Sequence, residues 1–199
     1  MIVVQIGANR GYDELTDIIQ NIYIDKLILV EPIKKFNNNL LTCYSHIKNL
    51  FIENIIITDD FNKNKEYFYL HEKMDENTEQ ASLLESHINK VFNKSEYLID
   101  KSYKDQLLKT EIECSTINNL FNKYKLINID ILFIDAEGFD DRIIKSIDFN
   151  KFNIKKIYYE NMHINNFEIS SFLKTLGYSV KNGTPYTINN SIAIKNEIH

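Results

Sequence analysis

The chain has 199 residues, 44% of them hydrophobic and 26% charged, a composition typical of one globular domain with a core of its own. Its net charge of −5 at pH 7 and its pI near 5.6 argue against a nucleic-acid-binding surface, which requires a basic footprint. Two cysteines are too few for a disulfide framework or a zinc knuckle, and no apolar run is long enough to span a membrane.

The first thirty-two residues predict a strand, a glycine turn, a helix and a second strand that ends in an acid. The apolar run Ile2–Ile6 is followed by the turn Gly7–Gly11, an amphipathic segment to about Tyr23, the run Leu27–Val30 and then Glu31. Because the first strand begins at residue 2, we expect no signal peptide and a cytoplasmic protein. Glycines let the backbone approach a ligand closely, and free N–H groups at the start of the helix can face that ligand. A carboxylate at the tip of the second strand can accept both hydroxyls of a ribose, so the segment predicts a nucleoside site.

Helices and strands continue to alternate after Pro32. This alternation predicts an α/β sandwich with a mainly parallel central sheet and an antiparallel C-terminal strand. Between 72 and 109 the periodicity weakens, and we interpret this stretch as a variable, substrate-facing insert in a single domain over 1–199. The remaining elements are predicted at 33–46 (helix), 50–58, 66–70 and 111–114 (strands), 117–124 (helix), 129–134 (strand), 139–147 (helix), 156–159 (strand), 167–176 (helix), and 178–180 with 191–194 (antiparallel strands).

Three of the predicted strands end in a carboxylate: Glu31, Asp135 and Glu160. In a parallel sheet the strand ends meet at one edge and form a ligand crevice, so we expect these acids to lie together. Glu137 is two residues beyond Asp135, and in an extended segment such neighbours point the same way. The alternative is that one or more of these acids caps the helix that follows.

The segments around these acids resemble the FkbM family of S-adenosylmethionine-dependent methyltransferases. Val3–Gly11 with Val30–Pro32 is similar to the family's opening block, Ile134–Phe139 to its KIDVEG signature, and Ile157–Asn161 to its final acidic strand. The resemblance covers about residues 2–195, apart from the insert. It implies a Rossmann-like class I methyltransferase fold and S-adenosylmethionine as cofactor.

The resemblance also implies which residues line the cofactor. Glu31 would bind the ribose hydroxyls and Asp59 would lie on the adenine side, although an ordinary turn aspartate is the alternative for Asp59. Gln5 stands where most class I methyltransferases carry an acid, and it keeps the hydrogen bonds without the charge. The implied cofactor-binding residues are Gln5, Gly7, Ala8, Asn9, Gly11, Glu31, Asp59, Ser82 and Asp135.

Candidate catalytic groups follow two later strands. Small catechol-type methyltransferases hold magnesium with an aspartate on one strand and an acid–asparagine pair on the next. Asp135, Glu160 and Asn161 would form the equivalent site for Mg²⁺ or another divalent cation. The alternative is a metal-free network in which His163 is the general base, with Asp135 and Glu137 as further catalytic candidates.

The family resemblance implies an O-methyltransferase acting on a hydroxyl of a sugar, a nucleotide sugar or another small molecule. We expect neither a nucleic-acid nor a membrane partner, and the sequence leaves a homo-oligomer open. One alternative is an NAD(P)-dependent Rossmann oxidoreductase, although the turn Gly7–Gly11 lacks the third glycine of the dinucleotide fingerprint. The other is a non-catalytic methyltransferase-fold scaffold, which predicts that the crevice acids are eroded, whereas here they are present.

Overall fold

The computed structural model describes residues 1–71, 82–83 and 107–196. Most of the predicted insert at 72–109 therefore lies outside the described residues. The strands of the described chain are Ile2–Ile6 (β1), Lys26–Val30 (β2), Leu50–Glu53 (β3), Ile56–Ile57 (β4), Lys65–His71 (β5), Leu107–Ser115 (β6), Asn128–Ile134 (β7), Asn153–Glu160 (β8), Tyr178–Asn182 (β9) and Asn190–Lys195 (β10). The α-helices are Glu14–Ile19 (α1), Asn37–Cys43 (α2), Ile117–Lys123 (α3), Asp140–Ser146 (α4) and Asn166–Thr175 (α5), with a 3-10 turn at Lys34–Phe36.

Seven of these strands form the main sheet in the order β3-β2-β1-β7-β8-β10-β9. The first five are mutually parallel, whereas β10 runs antiparallel to both β8 and β9. The predicted α/β class, with its mainly parallel sheet and antiparallel C-terminal strand, is confirmed. Among the described residues, no helix is long and apolar enough to cross a membrane.

The central strands are buried on both faces, because helices cover both sides of the sheet. One face of β1 contributes Val4 and Ile6 to a core that also contains buried residues of α3, α4 and α5. The other face contributes Val3 to a second core with buried residues of α1 and α2. Burial on both faces is the reason that these strands appear in the sequence as continuous apolar runs.

A second, three-stranded sheet has the order β4-β6-β5 and packs beside the first. The single strand predicted at 50–58 is wrong, because the chain breaks after Glu53 and its continuation, β4, pairs with β6 in this second sheet. The helix predicted at 33–46 is also too long, since the α-helix spans only Asn37–Cys43. Residues of β4 and β5 line the same cavity as the residues that follow β1, β2 and β7.

Candidate active site

A cavity of about 340 Å³ lies at the carboxyl edge of the main sheet. This volume falls at the lower end of the range for small-molecule sites, about 300–1,000 Å³. Its polar lining comes from the turns that follow β1, β2 and β7 and from the start of α1, and it includes Gly7, Asn9, Asp13, Glu31, Asp135 and Glu137. Its apolar lining comes in part from β4, β5 and Leu83. The sheet therefore brings together the residues of three separate sequence blocks.

Gly7 is needed where the turn after β1 passes β7. Its φ is +78°, and a Cβ atom added to it would lie 1.8 Å from the carbonyl oxygen of Asp135. No side chain fits this approach of one backbone to another. Gly11 also has a positive φ, +72°, and its added Cβ would lie 3.0 Å from the Sγ atom of Cys43. The two glycines hold the turn tight against the sheet, and the cavity lies beyond it.

Four of the five N–H groups of this turn, those of Gly7, Ala8, Asn9 and Gly11, are hydrogen-bonded within the protein. This differs from the sequence-based expectation that the turn and helix present free N–H groups to a ligand. The N-terminus of α1 is also capped, because Asp13 occupies the N-cap position and its carboxylate accepts the Thr16 N–H at 3.3 Å. The four turn bonds run from Gly7 and Ala8 to the Val30 carbonyl at 2.9 and 3.1 Å, from Asn9 to Glu31 Oε2 at 2.7 Å, and from Gly11 to the Ala8 carbonyl at 2.9 Å.

Glu31 follows β2 and is only 5% exposed. Its Oε2 accepts the Asn9 N–H and its Oε1 accepts the Ile33 N–H at 2.8 Å. Burial raises the pKa of Glu31 to about 7, although both hydrogen bonds favour the ionised form. Because each carboxylate oxygen has two lone pairs, each oxygen keeps one acceptor site for a further donor. The arrangement suits a ligand with two neighbouring hydroxyls.

Gln5 lies beside an acid that sequence reasoning missed. Gln5 is fully buried in β1, and its Nε2 donates to the carboxylate of Asp13, which lines the cavity. Burial raises the pKa of Asp13, while the bonds from Gln5 and the helix backbone partly oppose that rise. Gln5 itself is neutral, and the carboxylate beside it comes from the N-cap residue of α1. The position of Asp13 three residues before Thr16 is an N-cap signal that could have identified it.

Asp135 and Glu137 both line the cavity, as predicted, but the reason given was wrong. The segment after β7 is not extended, because Glu137 has a φ of +49° and Gly138 a φ of +88°. The turn, and not a strand period of two, brings both acids to the crevice. Ser82 stabilises this turn, since its Oγ donates to the Glu137 carbonyl at 3.1 Å. Its side chain is nearly fully buried. It is the next residue, Leu83, that lines the cavity.

Asp140 is a second acid that the sequence analysis did not single out. It begins α4, is fully buried, and accepts the N–H groups of Ala136 and Glu160 at 3.2 and 3.1 Å. It therefore ties the turn after β7 to the end of β8. Burial, followed by the nearby charges of Asp135 and Glu160, raises its pKa well above the ordinary value. An acid in the first turn of a predicted helix was the available signal.

Glu160, His163 and Glu137 form one cluster at the rim of this edge. A ligand atom from each of the three lies within 4.8 Å of the other two. His163 Nε2 is 3.7 Å from Glu160 Oε1, while Glu160 Oε2 is buried and has no hydrogen-bond partner in the described part of the chain. Burial raises the pKa of Glu160. The cluster can hold a proton or a cation, and Glu137 connects it to the cavity.

The remaining predicted residues lie elsewhere. Of the three expected metal ligands, only Glu160 belongs to this cluster. The Asn161 side-chain amide donates to Ser191 Oγ at 2.9 Å and to the Ile188 carbonyl at 3.2 Å, which attaches it to the hairpin of β9 and β10. Asp59 forms a two-point ion pair with Arg142, at 2.8 and 3.0 Å, outside the cavity lining.

Comparisons with known proteins agree with this architecture. The model of the methyltransferase FkbM domain matches residues 5–180. A crystal structure of the methyltransferase FkbM from Methylobacillus flagellatus is similar to the chain with a TM-score of 0.52 at 12% identity. The match covers 97% of this chain and 43% of that one, and at this identity it shows the fold alone. A fibrillarin/Nop5p complex gives a TM-score of 0.41 at 15% identity, covering 96% and 69% of the two chains. A search of curated proteins gave no match.

Proposed function

We propose a function from one premise: the chain belongs to the FkbM methyltransferase family, whose model matches residues 5–180. The proposed activity is the transfer of a methyl group from S-adenosylmethionine to a hydroxyl of a sugar, a nucleotide sugar or another small molecule. The observation that carries the proposal is Glu31, a buried carboxylate that opens onto the cavity and keeps one acceptor site on each oxygen. A ribose supplies the two donors that this carboxylate needs.

The residues present fit such a cofactor. Gly7 leaves no room for a side chain between the turn and Asp135, so the turn stays close to the sheet and the cavity stays open. Asn9 lines the cavity, and its buried Oδ1 accepts no hydrogen bond from the residues that the structure describes. Glu31 and Asn9 would hold the nucleoside, with Asp135 on the other side of the turn. When bound, the cofactor supplies a methyl group that its sulfonium already activates.

The turn argues against the oxidoreductase alternative. A dinucleotide requires donors for its pyrophosphate, which in Rossmann enzymes are backbone N–H groups at the turn and the helix start. Here four turn N–H groups are already bonded within the protein, and the helix start carries the carboxylate of Asp13. A pyrophosphate at this position would meet a negative charge instead of donors.

We assign to His163 the role of the general base that takes the proton of the acceptor hydroxyl. Its Nε2 is 3.7 Å from Glu160 Oε1, close enough for the carboxylate to stabilise the imidazolium that forms when His163 takes the proton. Glu137 belongs to the same cluster and also lines the cavity, so the base stands at the cavity rim. Positioning of the acceptor hydroxyl in this cavity would contribute the rest of the rate.

A divalent cation is the second candidate for this role. The cluster of Glu137, Glu160 and His163 offers two carboxylates and one imidazole, a donor set that suits Mn²⁺ or Zn²⁺ as well as Mg²⁺. The proposed metal ligands are therefore Glu137, Glu160 and His163. They replace the set Asp135, Glu160 and Asn161 that the sequence suggested. Turnover that is lost with EDTA and restored by Mn²⁺ or Mg²⁺ would favour it over His163 as a metal-free base.

Two measurements test the proposed function. Calorimetry with S-adenosylhomocysteine and with NAD should give binding of the first in the micromolar range, about −8 kcal/mol, and no binding of the second. The reverse result would overturn the methyltransferase proposal. A screen with labelled S-adenosylmethionine against nucleotide sugars, polysaccharides, RNA and proteins should then label a saccharide. Label in RNA or protein alone would refute the proposed acceptor class.

A further inference from the structure

One buried carboxylate bonds to both chain segments that carry the acids at the cavity rim. Asp140 is fully buried at the start of α4. Its Oδ2 accepts the Ala136 N–H at 3.2 Å, and its Oδ1 accepts the Glu160 N–H at 3.1 Å. The pairing of β7 with β8 ends at Ile134 and Tyr159. Beyond that pair, the two bonds to Asp140 continue the connection between the segments.

The segment after β7 holds Glu137 in a backbone conformation that side chains rarely adopt. Glu137 has a φ of +49°, and Gly138 follows it with a φ of +88°. A residue other than glycine keeps such a conformation only where the surrounding contacts fix it. Here Asp140 fixes the preceding residue through the Ala136 N–H, and Ser82 Oγ donates to the Glu137 carbonyl at 3.1 Å. The direction of the Glu137 side chain therefore depends on Asp140.

The carboxylate of Asp140 is suited to this double contact. It offers one acceptor oxygen to each N–H group, whereas an asparagine has one oxygen and one NH₂ group, so that one of the two N–H groups would face a donor. The cofactor side of the cavity is held by other bonds. The Asp135 N–H donates to the Ile6 carbonyl at 2.9 Å, and Glu31 accepts from the turn after β1. A change at Asp140 should therefore affect the rim and leave the cofactor side in place.

We propose that Asp140 is a positioning residue for methyl transfer, which holds Glu137 and Glu160 at the distance from each other and from His163 that the reaction requires. This inference rests on the proposed function and deepens it. The three side chains form one cluster, with a ligand atom of each within 4.8 Å of the other two. Asp140 acts through them from inside the protein, since it is buried and does not line the cavity.

The first test separates turnover from cofactor binding in Asp140→Asn, a change that keeps the size of the side chain. We expect kcat for methyl transfer to fall about 10–100-fold, the range for a small misplacement of reacting groups, while the affinity for S-adenosylhomocysteine stays unchanged. The control is Asp141→Asn, the same change at the next residue, which forms a surface ion pair with Lys145. It should alter neither quantity. An unchanged kcat in Asp140→Asn, or an equal loss of kcat and affinity, would overturn the inference.

A double substitution distinguishes positioning from general damage to the fold. In a His163→Ala background, Asp140→Asn should lower kcat by less than about a further twofold, because the group that the two acids position is then absent. The same factor in both backgrounds would indicate general damage and would refute the positioning role.

Amide hydrogen exchange tests the contact without reference to turnover. In Asp140→Asn the N–H of Ala136 or of Glu160 loses its acceptor and should exchange faster, whereas the Asp135 N–H, bonded to Ile6, should keep its protection. Unchanged exchange at both amides would overturn the inference. If the unaltered protein transfers no methyl group to any acceptor, the proposed function fails. If it does so and Asp140→Asn is equally active, only this inference fails, and the two failures are thereby distinguished.

Discussion

The pKa of Glu31 predicts how the stability of the ligand-free protein depends on pH. The ordinary pKa of a glutamate is 4.5, and burial raises that of Glu31 to about 7 in the folded protein. Between these values the folded state binds more protons than the unfolded state, so the contribution of Glu31 is fully present below pH 4.5 and is lost as pH rises through 7. At about 1.4 kcal/mol per pKa unit, the loss is about 3 kcal/mol.

The variant Glu31→Gln should remove this dependence. Gln offers one carbonyl oxygen to two backbone donors, Asn9 N–H and Ile33 N–H, so one of them loses its acceptor at a cost of about 1–3 kcal/mol. At pH 4.5 the variant should therefore be less stable than the unaltered protein. By pH 8 the two should be nearly equal, because the unaltered protein then has a buried charge that the variant lacks.

Urea unfolding of both proteins across pH 4.5–8 measures the difference in unfolding free energy. Other buried acids, such as Asp13, titrate in both proteins, so their contributions cancel in the difference when they are not coupled to Glu31. The control is Glu168→Gln, the same change at an exposed glutamate that pairs with Lys145. The difference in unfolding free energy between Glu168→Gln and the unaltered protein should not vary by more than a few tenths of a kcal/mol over this pH range. A difference for Glu31→Gln that stays constant with pH would refute the assignment of a raised pKa to this carboxyl.

Three other predictions concern the turn and the rim of the cavity. Gly7→Ala should lower the unfolding free energy by several kcal/mol, because the added Cβ would overlap the Asp135 carbonyl. The control is Gly177→Ala, at a similar positive φ but with open space around it, which should lower the unfolding free energy by about 1–2 kcal/mol in urea unfolding. Equal losses of unfolding free energy for the two variants would contradict the clash. His163→Ala should lower methyl transfer at least about 10²-fold without changing S-adenosylhomocysteine affinity. EDTA-insensitive turnover that survives this substitution would exclude both candidate mechanisms. Asp140→Ala should lower the unfolding free energy by about 2–5 kcal/mol, since the partly buried N–H groups of Ala136 and Glu160 lose their acceptor. A near-neutral result would show that Asp140 does not hold β7 and β8 together.

The sequence predicted most of the main sheet because its signals are local. β1, β2 and β7 are buried on both faces, so each is a continuous apolar run in the sequence. Such a run can be recognised without knowing which strands pair with it. The same holds for the acids that follow these strands, since the parallel sheet alone places strand ends at one edge. β4 was missed for the opposite reason. Its two residues pair with β6, a partner more than fifty positions away, and nothing local distinguishes them from a continuation of β3.

For the site, the sequence by itself determined which chemical groups reach the crevice, namely the glycine turn, Glu31 and Asp135, and it also pointed to Glu160 at the rim. Only the tertiary structure decided what those groups are able to do. The pKa of Glu31, the pairing of Gln5 with Asp13, and the grouping of Glu160 with Glu137 and His163 all depend on which atoms lie within a few ångströms and on how much water the packing removes. Desolvation and short-range charge interactions arise from residues distant in the chain, so no window of the sequence contains them.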